Sequence, residues 1–241
     1  MPLVLAHRGV SAGEAENTIA AFRAAATSGA DGVELDARRL GDGGVAVHHG
    51  PNLPDGRLLA DLAATDLPSG VPVLGEVLDA CPDLLVNIEI KNWSREADHD
   101  LQRRLAAAVV ATVRNHGAVD RVLVSSFDLG SIDRVRRLAP ELAVAWNVSM
   151  GLRRSLLARC VRHGVPTLHP WDRLVTAAFV TAARVAGVSL NVWTVNSGPR
   201  ARRLAGWGVA GIITDVPDLV LAALDPVSGT DPGRRRRWWA P

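Results

Sequence analysis

The sequence predicts an α/β fold, a (β/α)8 barrel with a short β-hairpin after its second strand. Short apolar runs alternate with helical patterns along nearly all of the 241 residues. Strands that are apolar on both faces and separated by helices are typical of a buried parallel sheet. Eight such units in a chain of this length fit a TIM barrel. An open doubly wound sheet is the alternative, and the lack of a Gly-x-Gly-x-x-Gly after the first strand disfavours it.

The predicted strands are short segments rich in Val, Leu and Ile, bounded by turn residues. They cover residues 3–6, 32–36, 85–90, 121–127, 142–148, 166–169, 189–195 and 211–214. The first connecting helix is predicted over residues 17–29, where Asn17 is the expected N-cap and Gly29 ends the helix. The predicted barrel domain as a whole spans residues 3–224.

One segment after the second strand, residues 37–50, is too short for a helical crossover. A Gly-Asp-Gly-Gly cluster at 41–44 separates two alternating stretches, a pattern typical of a β-hairpin. With the turn centred near residues 42–43, Asp36 is expected opposite His49. The return strand would therefore bring a histidine to the carboxylates at the end of strand two.

Composition and charge exclude several classes of protein. With 48% hydrophobic residues the chain can bury a large core, yet no apolar stretch approaches the ~20 residues that a membrane span needs. The net charge is +2; residues 226–241 hold four Arg and one Asp, hence +3, which leaves −1 for the rest. A nearly neutral body argues against a nucleic-acid-binding protein.

The predicted compartment is the cytoplasm. The N-terminus lacks signal-peptide features, and Cys81 and Cys160 are expected to be reduced core residues.

Residues 226–241 form a basic, Pro/Gly-rich tail that is predicted to be disordered. The tail contains Arg-Arg-Arg-Arg-Trp-Trp at 234–239. Arginines are attracted to anionic lipid, and tryptophans favour the headgroup level of a membrane. The tail is therefore a candidate for weak contact with a membrane surface, and the alternative is a solvated end without a partner.

Polar side chains gather where the predicted strands end, on the face that carries the chemistry in barrels. Side chains at i and i+2 of a strand share a face, which pairs Glu34 with Asp36 and Glu89 with Lys91. Three converging carboxylates repel one another unless a cation lies between them, and oxygen ligands favour Mg²⁺ or Ca²⁺ over zinc. Glu34, Asp36 and Glu89 are therefore candidate metal ligands.

Basic side chains at the same strand ends indicate an anionic substrate. Arg8 and Lys91 remain as unpaired cations in this arrangement, which fits a bound phosphate. Lys91 is the single lysine among 27 Lys+Arg, and a compact ammonium fits where a planar guanidinium does not. His7 and His49 are candidates for general acid and general base. Each of these residues alone could be a salt-bridge partner, a helix cap or a surface residue, but their joint clustering favours a site.

Nine segments together resemble the glycerophosphodiester phosphodiesterase family over about residues 3–224. They are AHRG (6–9), AENTIAAF (15–22), GADGVELDAR (29–38), VAVHH (45–49), VPVLGEVL (71–78), NIEIK (87–91), SSF (125–127), WTVN (193–196) and GIITDVPD (211–218). The resemblance implies a barrel fold, a divalent metal ion, and hydrolysis of glycerophosphodiesters to glycerol 3-phosphate and an alcohol.

The resemblance also implies roles for individual residues. It implies that the two catalytic histidines are His7 and His49. It also implies that the metal ligands are Glu34, Asp36 and Glu89, and that the phosphate contacts are Arg8 and Lys91. The family usually has Asp where this chain has Gly50, which leaves open how His49 is held.

Four tryptophans lie at or just beyond predicted strand ends: Trp93, Trp146, Trp171 and Trp193. Such residues either pack under loops or contact the substrate. Trp193, within WTVN, is the best candidate for contact with the glycerol or alcohol moiety through its apolar face.

Two other functions remain open at the level of sequence. A lysophospholipase D-like enzyme would use the same metal ion and the same histidines. A catalytically inactive barrel would only sense a phosphorylated ligand, although the presence of both histidines and all three acids argues against it. The sequence does not decide the alcohol group, the ion, which histidine is the acid, or whether water or a glycerol hydroxyl attacks.

Overall fold

Eight parallel strands close into a barrel in the computed structural model, which describes residues 1–10 and 15–225. The strands in chain order are β1 (Leu3–His7), β2 (Gly32–Arg39), β3 (Val45–Val47), β4 (Leu85–Ile90), β5 (Val122–Ser126), β6 (Ala143–Val148), β7 (Thr167–Pro170), β8 (Ser189–Val192) and β9 (Gly211–Thr214). All except β3 form the barrel, which closes where β9 pairs with β1 and β1 with β2. The predicted TIM barrel is therefore confirmed.

Helices connect the barrel strands on the outside. Those of the described residues are α1 (Ile19–Thr27), α2 (Leu74–Ala80), α3 (Arg104–Asn115), α4 (Leu129–Leu138), α5 (Arg153–His163), α6 (Ala177–Val185), α7 (Gly198–Trp207) and α8 (Pro217–Leu224), with short 3-10 turns at Leu59–Asp61, Ala64–Asp66, Val119–Arg121 and Asp172–Leu174. Within residues 1–10 and 15–225, no helix has the length and apolar character needed to cross a bilayer. The predicted tail at 226–241 lies outside the described residues.

The core has two layers because each barrel strand is buried on both faces. Outward-facing residues such as Val33 and Ile88 pack with the helices, and inward-facing residues such as Leu5, Leu123 and Ile213 fill the barrel. This double burial explains why the strands read as nearly continuous apolar runs.

Both cysteines belong to the outer layer of the core. Cys81 and Cys160 are buried and free, as predicted from the sequence. Burial raises the pKa of each thiol to about 11, so both stay protonated and unreactive at neutral pH.

The hairpin is present, but its predicted register is wrong by one residue. β3 runs antiparallel to β2 with Ala37 opposite Val47, and the N–H of His48 donates to the carbonyl of Asp36 at 2.9 Å. Asp36 therefore lies opposite His48 and not His49. The physical reason is the turn, in which Leu40 N–H bonds to Gly44 O at 2.9 Å, so that the turn centres on residue 42.

The first helix begins later than predicted because Asn17 is not its N-cap. Thr18 is the cap, and its side chain accepts a hydrogen bond from Ala21 N–H. Asn17 instead has a left-handed φ of 58°. Its side chain is bonded to Asp36 and is unavailable to the helix.

Candidate active site

The register of the first barrel strands places the candidate carboxylates side by side at the barrel mouth. His7 on β1 lies opposite Glu34 on β2, and Asp36 on β2 lies opposite Glu89 on β4. One oxygen from each of Glu34, Asp36 and Glu89 lies within 4.8 Å of the other two, and all three residues are buried. The structure thus brings the three predicted ligands into one group that could hold a metal ion.

Burial and mutual repulsion separate the pKa values of these carboxyls. Burial, together with the charge of Asp36, raises the pKa of Glu34 to about 7. Burial would also raise the pKa of Asp36, but the charges of Lys91 and Arg8 hold it well below its usual range. Burial likewise raises the pKa of Glu89. A bound divalent ion would stabilise all three ionised forms, so this oxygen donor set fits a hard cation.

Lys91 and Arg8 are ion-paired, which corrects the prediction that both are unpaired cations. Lys91 Nζ lies 2.8 Å from Asp36 Oδ1 and 2.6 Å from Glu89 Oε1. Arg8 Nε lies 3.1 Å from Asp36 Oδ2, and Arg8 Nη1 donates to both oxygens of Glu16, at 3.0 and 2.9 Å. Both basic groups pair with buried carboxylates and still line the same cavity as Glu34 and Glu89.

The turn after β1 fixes the position of Arg8. Arg8 has a left-handed φ of 55°, and its backbone N–H donates to Glu34 Oε2 at 3.1 Å. The next residue, Gly9, has φ +82°, and a Cβ there would lie 2.7 Å from Ala21 of α1. Glycine is required here both by the backbone conformation and by the close approach of the helix.

A carboxylate at the end of β9 orients His7. His7 Nδ1 lies 2.6 Å from Asp215 Oδ1, and Asn196 Nδ2 donates to the other oxygen of Asp215 at 2.5 Å. Burial lowers the pKa of His7, but the hydrogen bond to Asp215 and the charge of Glu34 outweigh it, so the pKa is raised above its ordinary 6.5. Asp215 and Asn196 both follow predicted strands, but the sequence analysis assigns no role to either residue.

His49 lines the cavity from the loop that follows β3. Partial burial lowers its pKa; the charge of Asp36 opposes this shift, and the charges of Arg8 and Lys91 add to it, so the net pKa lies below 6.5. The neighbouring His48 instead has Nδ1 2.8 Å from Gly50 O and is not part of the cavity wall. The two candidate histidines therefore have pKa values shifted in opposite directions.

The cavity at the barrel mouth has a volume of about 230 Å³ and joins the charged group to aromatic side chains. Trp93, Phe127 and Trp193 line it, with edge-to-face ring contacts at 5.0 Å between Trp93 and Phe127 and at 5.7 Å between Phe127 and Trp193. Two of the four strand-end tryptophans, Trp146 and Trp171, are not in the wall. Trp146 is buried and donates its indole N–H to Phe127 O at 3.2 Å.

Asn17 is a residue of the site to which the sequence reasoning gave a different role. Its Nδ2 donates to Asp36 Oδ2 at 2.8 Å, and its Oδ1 accepts from Asp36 N–H at 3.2 Å. Asn17 is 3% exposed. It holds one oxygen of the Asp36 carboxylate, and Lys91 Nζ contacts the other oxygen, Oδ1. One signal was available: Thr18 is also a favourable N-cap, which leaves Asn17 free for another role.

The mouth of the barrel combines three carboxylates that could hold a hard cation, two histidines with opposite pKa shifts and two basic side chains. This combination suits an enzyme that hydrolyses phosphate esters. Comparison with known proteins identifies the particular family. The sequence model of the glycerophosphoryl diester phosphodiesterase family matches residues 7–219. The chain belongs to this family, and it is a phosphoric diester hydrolase, as predicted.

Individual relatives agree with this family. A glycerophosphodiester phosphodiesterase of Caldanaerobacter subterraneus is 31% identical over 239 residues, covering 91% of this chain and 96% of the relative. An Oleispira antarctica phosphodiesterase, solved in complex with the product sn-glycerol-3-phosphate, superposes with a TM-score of 0.84 at 25% identity and covers 93% of this chain and 97% of that one. A mouse lysophospholipase D is 23% identical over 264 residues, covering 88% of this chain and 83% of its own length.

Proposed function

We propose that this protein hydrolyses glycerophosphodiesters to glycerol 3-phosphate and an alcohol in a reaction that depends on a divalent ion. The observation that carries the proposal is one cavity wall shared by two histidines, two basic groups and the carboxylates of Glu34 and Glu89, with the buried Asp36 directly behind them. Incubation of the pure protein with glycerophosphocholine tests the proposal. We expect glycerol 3-phosphate and choline as products, whereas glycerol and phosphocholine would mean that the other ester bond is cleaved.

Glu34, Asp36 and Glu89 would hold the ion, and their oxygen-only donor set favours Mg²⁺ or Ca²⁺. When bound, such an ion withdraws charge from phosphate oxygens and so favours attack on phosphorus. Two side chains hold the Asp36 carboxylate in place: Asn17 contacts Oδ2 and Lys91 contacts Oδ1. Asp36 is 1% exposed, so it would contact the ion without meeting the substrate.

His7 and His49 would divide the two proton transfers. His49, with its lowered pKa, is neutral near pH 7 and suits the base that takes a proton from the attacking hydroxyl. His7, with its raised pKa and its Nδ1 on Asp215, suits the acid that protonates the leaving oxygen through Nε2. His49 would be the base and His7 the acid whether the nucleophile is water or the neighbouring glycerol hydroxyl.

Arg8 and Lys91 would contact the phosphate from the same wall. The ammonium of Lys91 has three N–H donors; one bonds to Glu89 Oε1 at 2.6 Å, and Asp36 Oδ1 lies 2.8 Å away as an ion pair. A remaining donor can serve a phosphate oxygen. This placement also explains a single lysine in an arginine-rich chain, because two carboxylates within 2.8 Å leave room for a compact ammonium only.

Lys91→Arg is expected to lower kcat/KM at least about tenfold, although the positive charge is kept. The planar guanidinium has to displace Asp36 or Glu89, and small displacements at an active site cost up to ~10²-fold. Steady-state kinetics of Lys91→Arg beside Lys91→Met measure this effect, and we expect the two variants to agree within about threefold. Kinetics of Lys91→Arg close to wild type would show that charge alone is needed.

Trp193 is proposed to contact the glycerol or alcohol moiety of the substrate. Its indole N–H donates to His169 O at 2.7 Å, which fixes the ring in the cavity wall. Trp193→Phe should raise KM up to about tenfold with little change in kcat, since aromatic contacts contribute ~1 kcal/mol. It should also remove most of the fluorescence change on binding glycerol 3-phosphate, whereas Trp171→Phe should not. An unchanged KM and a full fluorescence response in Trp193→Phe would assign this ring to packing.

A lysophospholipase D-like activity is the second candidate. The aromatic wall favours it, because Trp93 is 44% exposed and could contact an acyl chain that leaves the cavity. The similarity to the mouse lysophospholipase D points the same way. The kcat/KM values for lysophosphatidylcholine and for glycerophosphocholine decide between the two, and we expect the soluble diester to be preferred.

We propose a cytoplasmic location and weak attachment of the tail at 226–241 to anionic membrane surfaces. All proposed catalytic residues precede this segment, so truncation after Asp225 should leave hydrolysis of soluble substrates unchanged. Arginine contributes ~1 kcal/mol of attraction to anionic lipid, and salt screens it. Full-length protein should therefore co-sediment with phosphatidylserine vesicles at low salt and be released at high salt. Equal sedimentation of full-length and truncated protein at low salt would contradict the attachment.

A further inference from the structure

Arg38 forms a buried cluster of hydrogen bonds directly beside the loop that carries His49. Arg38 lies on β2, two residues after Asp36, and its side chain is 1% exposed. Its Nε and Nη2 donate to the backbone carbonyl of His49, at 3.1 and 2.6 Å. The contact is to the main chain of a proposed catalytic residue and leaves the imidazole ring free to line the cavity.

Two carboxylates from the loop after β4 hold the guanidinium from the other side. Nη1 and Nη2 of Arg38 donate to the two oxygens of Glu96 at 2.8 and 3.0 Å. Nη1 also donates to Asp98 at 3.0 Å, and the Asp98 side chain is 2% exposed. The five N–H donors of an arginine are thereby all used, so the guanidinium has one orientation.

The other restraints on the backbone beside His49 are local: the N–H of His48 donates to the carbonyl of Asp36 at 2.9 Å within the hairpin. Gly50 has no side chain, so no group of the following residue can brace the loop from within. A second local contact joins His48 Nδ1 and Gly50 O at 2.8 Å. By contrast, the two bonds from Arg38 connect the His49 carbonyl to strand β2 and to the loop after β4 at once.

We propose that Arg38, anchored by Glu96 and Asp98, is a positioning residue that sets the place of the His49 imidazole in the cavity. Arg38 is not part of the cavity wall, and its contact with the site is through the His49 backbone. The proposal rests on the proposed function for its catalytic consequence. It also answers how His49 is held in a chain that has Gly50 after it.

Kinetics in a mutant cycle distinguish positioning from general stabilisation. Arg38→Met should lower kcat by about 10- to 100-fold with KM nearly unchanged, because small displacements of a catalytic group are costly. In a His49→Ala background the same change should lower kcat less than about threefold, since the group that Arg38 positions is gone. Arg103→Met is the matched control: it breaks the Arg103–Asp128 pair at the end of the same loop without contact to His49, and it should leave kcat unchanged. If kcat of the double variant falls by the product of the two single-variant effects, the two residues act independently and the proposal is overturned.

A spectroscopic measurement tests the same proposal without any turnover. In ¹H–¹³C spectra of the histidine rings, Arg38→Met should shift the His49 signal and leave the His7 signal in place. If Arg38→Met does not fold, Glu96→Gln serves instead and should move the His49 signal in the same direction by less. An unmoved His49 signal in a folded variant overturns the positioning role. Absence of phosphodiesterase activity in the wild type would overturn the proposed function alone, because the spectra still report on His49.

Discussion

His7→Ala and His49→Ala are each expected to lower kcat about 10²- to 10⁴-fold, the usual contribution of a positioned acid or base. Folding should be retained, because both side chains lie in the cavity wall and not in the packed layers of the core. Steady-state kinetics and thermal unfolding measure the two effects. The matched control is His116→Ala, which removes a histidine bonded to Asp79 at 2.8 Å but remote from the cavity.

The pH dependence of kcat/KM tests which histidine is the acid. The base must be neutral, so the rate should rise as pH passes the pKa of His49, which lies below 6.5. The acid must be protonated, so the rate should fall as pH passes the pKa of His7, which lies above 6.5. In His7→Ala the descending limb should disappear, and loss of the ascending limb instead would reverse the assignment. A severe effect of His48→Ala with a mild effect of His49→Ala would mean that the wrong histidine has been chosen.

Removal of divalent ions is expected to lower turnover by at least about 10²-fold, because the phosphate then loses its main source of charge stabilisation. Asp36→Asn and Glu89→Gln should have effects of similar size in the presence of Mg²⁺ or Ca²⁺. The control is Asp172→Asn, which alters a carboxylate after β7 that pairs with Arg200 at 2.7 Å. Full activity of Asp36→Asn, or full activity in excess chelator, would contradict the proposed metal site.

Metal binding itself should depend on pH through Glu34. The ion binds the ionised carboxylate, and in the metal-free protein the pKa of Glu34 is raised to about 7. Affinity should therefore fall by up to about tenfold per pH unit below 7, with release of a proton on binding. Since the folded pKa exceeds the ordinary 4.5, ionisation of Glu34 destabilises the metal-free fold as pH rises through this window. The increase in Tm caused by Ca²⁺ should consequently be larger at pH 8 than at pH 5.5, and an equal increase would contradict this account.

The sequence predicts the barrel and the carboxylate group because both depend on short-range periodicity. Glu34 and Asp36 share a strand face by spacing alone, and the parallel register then places Glu89 beside Asp36. The partners of the site were not predictable in this way. His7 and its orienting Asp215 are 208 positions apart, and the contacts of Arg38 with Glu96 and Asp98 join strand β2 to a loop 58 and 60 positions further along the chain.

The errors in the sequence-based predictions also have physical causes. The Gly-Asp-Gly-Gly composition does not fix the turn centre to a single residue, so the predicted centre near residues 42–43 is wrong; the structure centres the turn on Asp42. Asn17 and Thr18 are both good N-caps, and the choice between them depends on the distant Asp36. Arg8 pairs with Asp36 and with Glu16, and neither pair follows from the spacing of residues along the strands.

The most direct test of the account is the formation of glycerol 3-phosphate from glycerophosphocholine by the pure wild-type protein. The protein is stripped with chelator, and the product is measured before and after titration with Mg²⁺ and with Ca²⁺, beside His49→Ala and Asp36→Asn at saturating ion. We predict no turnover in the stripped wild type, recovery on addition of one or both ions, and no recovery in either variant. Two results would contradict the proposed function: equal formation of glycerol 3-phosphate with and without ions, or the same rate of formation in the two variants as in the wild type.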